Sequence, residues 1–373
     1  KKLISGGITN MKIGLVGLPQ TGKTTLFSLL TDDMEKLDSQ ALGKMDANIG
    51  TAKIPDRRID FLSNIYKPRK TIYSTIEAID IKGIVPDNST KRSSGAVQFL
   101  EAVRQVDALV HVVRAFENEQ VAHLEGEIDP LRDIETINLE LLFADLAVIE
   151  NRIERIEGGK KVRKEEAFEL EVLKKCREGL EKGSLINSLE LSQEEKLLLK
   201  TFNFLTERPL IILVNMDENQ FRAGEYKNNT EVRNYTEKNE IPLMEICVKT
   251  ELEINQLEDE DRKMFMDDLG ISETGVGKLA SVCYDYLGLI SFFTVGEDEV
   301  RAWPIKKGIK AKSAAGKVHS DIERGFIRAE VVAYDDMEAN GSVQKLREKG
   351  LYRLEGKEYI VKDGDIINFR FNI

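Results

Sequence analysis

Lys12 to Val16 (KIGLV) is a short apolar run of the kind a buried strand shows. It leads at once into Gly17-Leu-Pro-Gln-Thr-Gly22-Lys23-Thr24-Thr25 and then the helical run Leu26 to Leu30. Further β-rich runs follow at Ile72 to Ile81, Ala108 to Val113 and Leu210 to Val214, with helix-like segments such as Ala96 to Val106 between them. Alternating strands and helices predict an α/β fold built on a doubly wound, mainly parallel sheet.

Between Pro130 and Pro209 a longer period takes over. Leu139, Leu142, Leu146, Ile149, Ile153 and Ile156 recur at spacings of three and four, which puts one apolar residue per turn on one helix face, the pattern of a coiled-coil seam. Gly158-Gly159 interrupts this helix in a basic stretch (Lys160, Lys161, Arg163, Lys164). Leu170, Leu173 and Leu180 then mark a second amphipathic run, and a protruding antiparallel hairpin is predicted. Ser192 followed by Glu195 reads as a capping box for a helix that returns the chain to the sheet. After about Ile290 short β-like runs dominate: Ile327 to Val332, Tyr359 to Val361 and Ile366 to Phe371, with Lys362-Asp363-Gly364 as a hairpin turn. The expected organisation is a first domain over 11–129 and 207–289, a helical insertion over 130–206 and a small α+β domain over 290–373. Residues 1–10 are read as an upstream extension or cloning remnant outside the fold.

Composition narrows the class. At about 150 residues per domain, a chain of 373 residues holds two to three domains. With 41% hydrophobic and 32% charged residues it has the balance of a globular protein that buries a core. A formal charge of −11 excludes a chain that coats nucleic acid along its whole length and leaves only a local contact. From Ile290 onward there are 15 basic and 14 acidic residues, against 39 and 51 in the rest, so the tail is the less acidic part and the one compatible with RNA. Cys176, Cys247 and Cys283 lie far apart, which suggests neither a disulfide framework nor a zinc site and points to the cytoplasm. The most apolar stretch, Ala280 to Val295, is too short for a membrane span and carries Asp285.

The chemistry concentrates at the first turn. Gly17-x4-Gly22-Lys23-Thr24 matches G-x-x-x-x-G-K-[ST] in full. The turn from Gly17 through Pro19, Gln20 and Thr21 to Gly22 lets backbone N–H groups close on phosphate oxygens. Lys23 would then reach the β- and γ-phosphates, Thr24 would coordinate Mg2+, and Thr25 continues the helix start. Asp80-Ile-Lys-Gly83 ends a strand where a second magnesium-linked acid and a γ-phosphate-sensing glycine belong. On its own that spacing also fits an ordinary strand-to-loop turn. Ile84 stands where a Ras-like enzyme carries its water-orienting glutamine. Asn215-Met216-Asp217-Glu218 ends a strand in the place of the base-reading N-K-x-D element, with Met for Lys and a longer carboxylate for Asp. Guanine selectivity is therefore not implied. His111 lies within an apolar strand and is expected to be a packed, hydrogen-bonded core residue; His319 is expected to stabilise a turn at least as readily as the binding-face role that the family resemblance named below implies for it.

Taken with Asp107-Ala-Leu-Val-His-Val-Val-Arg-Ala-Phe116-Glu-Asn, Ala315-Gly-Lys-Val-His-Ser-Asp-Ile-Glu-Arg-Gly-Phe-Ile-Arg-Ala-Glu330 and Glu355-Gly-Lys-Glu-Tyr-Ile-Val-Lys-Asp-Gly-Asp-Ile-Ile-Asn-Phe369, these motifs resemble the YchF/Obg-like ATPase family, an Obg-related branch of the TRAFAC P-loop class. The likeness runs over nearly the whole chain from Met11. It implies a G domain, an inserted coiled coil and a C-terminal TGS domain of β-grasp type. It further implies slow Mg2+-dependent hydrolysis of ATP in preference to or alongside GTP, and association of a cytoplasmic monomer with the ribosome, at its large subunit, with RNA contacts through the TGS and coiled-coil domains. By the same resemblance Asn215 and Glu218 face the base with Met216 packed nearby. Cys247-Val248-Lys249-Thr250 is the second base loop, where Cys247 either touches nucleotide or, as favoured here, fills the core. His123 in Val121-Ala-His-Leu-Glu-Gly126 matches the family's candidate catalytic histidine; a loop histidine can position water near neutral pH or be an ordinary surface residue.

The departures from that pattern fall in the switches. Where relatives have Phe-Cys-Thr-Ile-Glu-Pro-Asn, this chain reads Leu42-Gly-Lys-Met-Asp-Ala-Asn48, so Lys44 replaces the Mg2+-closing threonine and Gly43 the redox-linked cysteine. Val85 to Gly95 replaces a glycine-rich switch, and Gln20 replaces the asparagine that assists a monovalent cation. Three readings follow: a slow ATPase, a GTP-preferring GTPase, or a ribosome- or RNA-binding adaptor with a nearly inert nucleotide site. A small-molecule kinase is disfavoured, because no arginine-rich lid is evident.

Overall fold

The computed structural model describes residues 11–33, 48–83, 94–118, 123, 126–159, 163–268 and 273–372. In chain order the elements are β1 (Lys12–Val16), α1 (Lys23–Thr31), β2 (Asn48–Lys53), α2 (Arg57–Tyr66), β3 (Lys70–Ile72), β4 (Thr75–Asp80), α3 (Ser94–Val103) and β5 (Ala108–Arg114). Then come α4 (Pro130–Glu157), α5 (Lys164–Glu181), a 3-10 turn (Ile186–Ser188), α6 (Gln193–Leu199), β6 (Leu210–Asn215), α7 (Glu218–Ala223), α8 (Asn229–Lys238), β7 (Leu243–Ile246), α9 (Val248–Asn255), α10 (Asp259–Asp268) and α11 (Gly275–Tyr286). The chain closes with β8 (Leu289–Val295), β9 (Glu299–Lys306), α12 (Ala311–Val318), α13 (Ser320–Arg324), β10 (Phe326–Ala333), α14 (Tyr334–Asn340), α15 (Val343–Glu348), β11 (Arg353–Glu355) and β12 (Asp365–Phe371). Residues 12–50 with 78–276 make one compact unit, and residues 51–77 with 277–372 belong to a second.

The first sheet runs β2-β4-β1-β5-β6-β7, and β1, β5, β6 and β7 pair parallel. Every residue of β5 and of β6 is buried, which is why both are dominated by apolar residues rather than alternating, with His111 a polar break inside β5. The expected strand Ile72 to Ile81 divides into β3 and β4, which lie in different sheets.

Helix α4 is 28 residues long, about 42 Å at 1.5 Å per residue, and serves two cores in succession. Asp129 caps it by accepting from Arg132 N at 3.1 Å, and Pro130 occupies its first turn. Its first half gives Ile134, Ile137, Leu141 and Ala144 to the core around the sheet. Its second half packs Leu142, Ile149, Ile153 and Ile156 against Val172, Leu173, Cys176 and Leu180 of α5. Leu139, assigned to the seam by its spacing, is instead 47% exposed, because the apolar stripe changes faces between the two cores. Asp145, fully buried where they meet, accepts hydrogen bonds from Leu205 N (3.0 Å), Thr206 N (2.8 Å) and Thr206 Oγ1 (2.8 Å). The capping box at Ser192 and Glu195 starts α6.

The second unit is built on the sheet β11-β10-β12-β8-β9-β3. Adjacent residues alternate between its faces. Phe292, Val331 and Ile367 join one core with Trp303 and with Ala311, Ala314 and Ala315 of α12; Phe293, Val332 and Ile366 join another with Ile59 and Leu62 of α2. The edge strand β3 pairs parallel with β9, so residues 51–77 complete a sheet whose other strands begin at Leu289. Arg58 binds Asp363 at 2.6 Å, and Asp363 in turn accepts from Ser291 N at 2.9 Å. The run Tyr359 to Val361, expected to be a strand, forms only an isolated bridge between Ile360 and Lys310. Among the described residues no helix is long and apolar enough to cross a membrane.

Candidate nucleotide site

The turn between β1 and α1 places its helix start where the motif requires it. Gly22 is the cap residue at φ 90°, and a Cβ there would lie 2.5 Å from the Asn215 side-chain nitrogen, so glycine is required for both backbone and space. Gln20 also has a positive φ of 62°. The first N–H groups of α1 have no intrahelical acceptor and lie at the positive end of the helix dipole, which makes the turn an anion cradle. Lys23 is 7% exposed and folds over the turn, donating from Nζ to Gly17 O (3.0 Å) and Leu18 O (2.6 Å). Burial lowers its pKa to about 8, opposed by the nearby Asp80 carboxylate. The Thr21 hydroxyl donates to Leu18 O at 3.2 Å and closes the loop on itself; Pro19 lies in the same turn, partly buried.

Two oxygen ligands meet beside this cradle. The Thr24 hydroxyl donates to Asp80 Oδ2 at 3.1 Å, and Asp80 ends β4 with 7% exposure. A hydroxyl and one carboxylate suit Mg2+, which takes hard oxygen donors and fills most of its octahedron with phosphate and water. Among the described residues no group of three or more His, Cys, Asp or Glu stands ready to hold a metal. Gly83 packs backbone to backbone on the cradle: a Cβ there would come within 2.9 Å of Pro19 N and 3.0 Å of Gly17 O.

On the other side an open cleft of about 780 Å³ is lined by Gly22, Thr25, Asn215, Met216, Glu218 and Val248, all named from the sequence. Asn215 is buried, with its amide engaged by protein at both ends: Nδ2 donates to Thr21 O (3.0 Å) and Oδ1 accepts from Val248 N (3.1 Å). Met216 packs into the core with 3% exposure. Asp217 caps α7 by accepting from Asn219 N and Gln220 N, which sets Glu218 at the cleft rim, 3.9 Å from Lys249 Nζ. Cys247 is buried and is not among the lining residues. Phe116 and Leu252, to which sequence reasoning assigned no site role, also line the cleft, as does Lys249 of the expected base loop. Phe116 had a signal: it follows directly on β5 beside β1, and ligands in open α/β sheets bind beyond the carboxyl ends of the strands. The buried Arg114 fixes it, donating from Nε to Phe116 O (3.1 Å) with its guanidinium 4.5 Å from the ring.

The histidines go elsewhere. His123 does not line the cleft; its Nε2 is 2.9 Å from Asp133 Oδ2. His111 is 1% exposed on β5, and burial, with the Lys23 charge adding, drives its pKa down to about 3. Its Nδ1 makes no hydrogen bond among the described residues, against the hydrogen-bonded core residue expected. In the second unit the His319 ring accepts from Asp321 N at 3.1 Å and caps α13, a turn-stabilising role. The switch residues Leu42 to Ala47, Ile84 and Val85 to Ser93, and most of the loop around His123, lie outside the described residues.

Residues 12–151 match the family model described as a 50S ribosome-binding GTPase, and residues 289–372 match the YchF-GTPase C-terminal model, described as a protein of unknown function (DUF933). The protein named ribosome-binding ATPase YchF in Bacillus subtilis (strain 168) is 42% identical over 362 residues, covering 96% of this chain and 99% of that one. The chain belongs to the YchF family. A second YchF, the ribosome-binding ATPase of Escherichia coli O157:H7, is 40% identical over 366 residues, 97% of this chain and 99% of its own. The solved structure of the Schizosaccharomyces pombe YchF GTPase covers 99% of this chain and 100% of its own at 30% identity, with a TM-score of 0.85. The expected α/β P-loop GTPase fold is therefore shared with YchF, together with its helices and its C-terminal sheet.

Proposed function

We propose that this chain is a magnesium-dependent nucleoside triphosphatase that favours ATP over GTP and works on the ribosome. The observation that carries the purine choice is the commitment of Asn215 to Thr21 and Val248, with Glu218 at the cleft rim in the place of the base-reading carboxylate. Guanine reading needs a short carboxylate that accepts two base N–H groups at a fixed depth. Glu218 is one methylene longer and is drawn toward Lys249, an arrangement better matched to the single exocyclic amine of adenine.

The chemistry is positional and electrostatic. N–H groups of the turn from Gly17 to Thr25 hold the phosphates, and Lys23 exchanges its carbonyl acceptors for phosphate oxygens. Thr24 and Asp80 hold Mg2+, which when bound neutralises charge on the β- and γ-phosphates. Gly83 keeps the turn in place by contact, and His123 orients or polarises the attacking water.

The relatives named ribosome-binding ATPases support the ribosome as partner. The large subunit as docking site, RNA contacts through the C-terminal sheet and the α4–α5 helices, and a monomeric cytoplasmic state complete the proposal. Calorimetry with ATP and GTP in the presence of Mg2+ tests the purine choice: equal or guanine-favouring affinity removes it. Single-turnover hydrolysis with and without ribosomes tests the enzyme against an inert adaptor, since Lys23→Ala abolishes turnover only in an enzyme.

A further inference from the structure

Helix α9 walls one side of the cleft, with Val248, Lys249 and Leu252 among the lining residues. Its start is held lightly. Among the described residues the cap residue, Cys247, makes no side-chain cap bond, and the Asn215 tether reaches the helix only at Val248 N. A helix pinned at one end can pivot about it. Glu251, one turn further along, is 8% exposed and does not line the cleft. Its carboxylate instead spans to the start of α11, where Oε1 accepts from Gly275 N (2.7 Å) and Oε2 from Val276 N (3.3 Å). First-turn N–H groups of a 12-residue helix have no intrahelical acceptor, and the positive end of the helix dipole strengthens their hold on a carboxylate. Burial raises the Glu251 pKa, an effect the two N–H donors oppose. Gly275 leaves room for the approach: a Cβ there would lie 2.8 Å from Glu251 Oε1 and 2.9 Å from Cγ2 of Ile246, which ends β7.

We infer that Glu251 is a positioning residue for the purine: by bonding α9 to the start of α11 it supplies the second fixed point of the wall against which the base lies. The inference rests on the reading of this cleft as the base side of a nucleoside triphosphate site. Asn215 fixes where α9 begins, and Glu251 fixes the direction in which it leaves, so the two together set where Val248, Lys249 and Leu252 stand. The triphosphate cradle is built from other elements, the turn between β1 and α1 and the end of β4. Loss of Glu251 therefore falls on the base and spares the phosphates. The base is remote from the bond that breaks, so its wall holds ground state and transition state alike, and weakening it raises KM without lowering kcat.

The test uses the full chain with Mg2+: calorimetry with ATP and with inorganic tripolyphosphate, a probe that has no base, together with steady-state hydrolysis. Glu251→Ala is expected to weaken ATP binding about three- to tenfold and to raise KM by the same factor, while kcat and the affinity for tripolyphosphate stay within about twofold of the parent. Glu251→Gln keeps one acceptor oxygen for Gly275 N and is expected to recover part of the loss. Gly275→Ala crowds the carboxylate from the other side and is expected to reproduce it; if Glu251→Ala fails to fold, these two variants carry the test. Parental ATP affinity in the variants overturns the inference. An equal loss of ATP and tripolyphosphate, or a fall in kcat, also overturns it, because either marks a general loosening of the fold. A parent protein that binds no purine triphosphate removes the nucleotide reading and this inference with it, whereas variants that bind ATP like a competent parent remove this inference only.

Discussion

The Asn215 side-chain amide donates to the Thr21 carbonyl at 3.0 Å, tying the end of β6 to the phosphate loop 194 residues earlier in the chain. The same side chain accepts from Val248 N, so one residue sets the distance between the cradle and both base loops. Asn215→Ala is expected to weaken binding of any purine triphosphate about 10- to 100-fold, or about 1.4–2.8 kcal/mol, because the phosphate loop and the base loop lose the side chain that ties them together. Asn215→Asp keeps the acceptor and loses the donor, and is expected to fall between. Titration calorimetry with ATP checks this; a variant that binds ATP like the parent protein would show that the tether is dispensable.

Gly83→Ala tests the backbone contact with the cradle. The added carbon meets Pro19 N and Gly17 O, main-chain atoms that cannot swing aside, so the phosphate loop itself has to shift. Affinity for ATP and the hydrolysis rate are expected to drop together by about tenfold or more, as about 1–3 kcal/mol of strain implies, and the melting temperature is expected to fall by a few degrees. Unchanged affinity in this variant refutes the contact's importance.

His111 makes stability depend on acid. The unfolded chain takes up a proton on this residue near its ordinary 6.5, and the folded chain holds it neutral until about 3. The unfolded state therefore binds more protons across that window, so stability falls as pH drops from about 6.5 toward 3 and is unaffected by this group above it. At pH 5 the loss is about 2 kcal/mol relative to pH 7. Urea midpoints at the two pH values measure it. His111→Gln is expected to shrink the gap, and an equal gap in both proteins would rule out this source.

Asp145 joins α4 to the segment that returns to the sheet. Asp145→Ala leaves Leu205 N and the Thr206 donors without acceptors and opens a buried space, and is expected to cost about 2–4 kcal/mol. The loss should appear in hydrogen exchange first at Leu205 and Thr206. Wild-type exchange at those two amides in the variant is the contrary result.

Legibility from sequence followed locality. The cradle was readable because its strand, glycines, lysine and hydroxyl are contiguous, and β1, β5 and β6 because strands buried on both faces are dominated by apolar residues, even with His111 inside β5. The Thr21 tether was not, since residue type alone says that Asn215 ends a strand but not that its amide spans to another loop. Leu139 misled because a strict count of turns assumes one partner, whereas α4 has two. The expected strand at Tyr359 to Val361 carries β-type residues yet meets only Lys310 as a bridge partner. The partnership of Asp133 with His123 joins two residues whose spacing carries no motif.

Strand β3 has a temporal consequence. Protein synthesis delivers residues 70–72 well before β9, their pairing partner at 299–301, and before the β8, β10 and β12 residues that finish both cores. At about 5–20 residues per second the early segment waits on the order of ten to fifty seconds with Ile59 and Leu62 uncovered. The second unit is thus assembled only as its last strand leaves the ribosome, and a nascent chain halted before Leu289 carries an amphipathic helix and a lone strand with nothing to join.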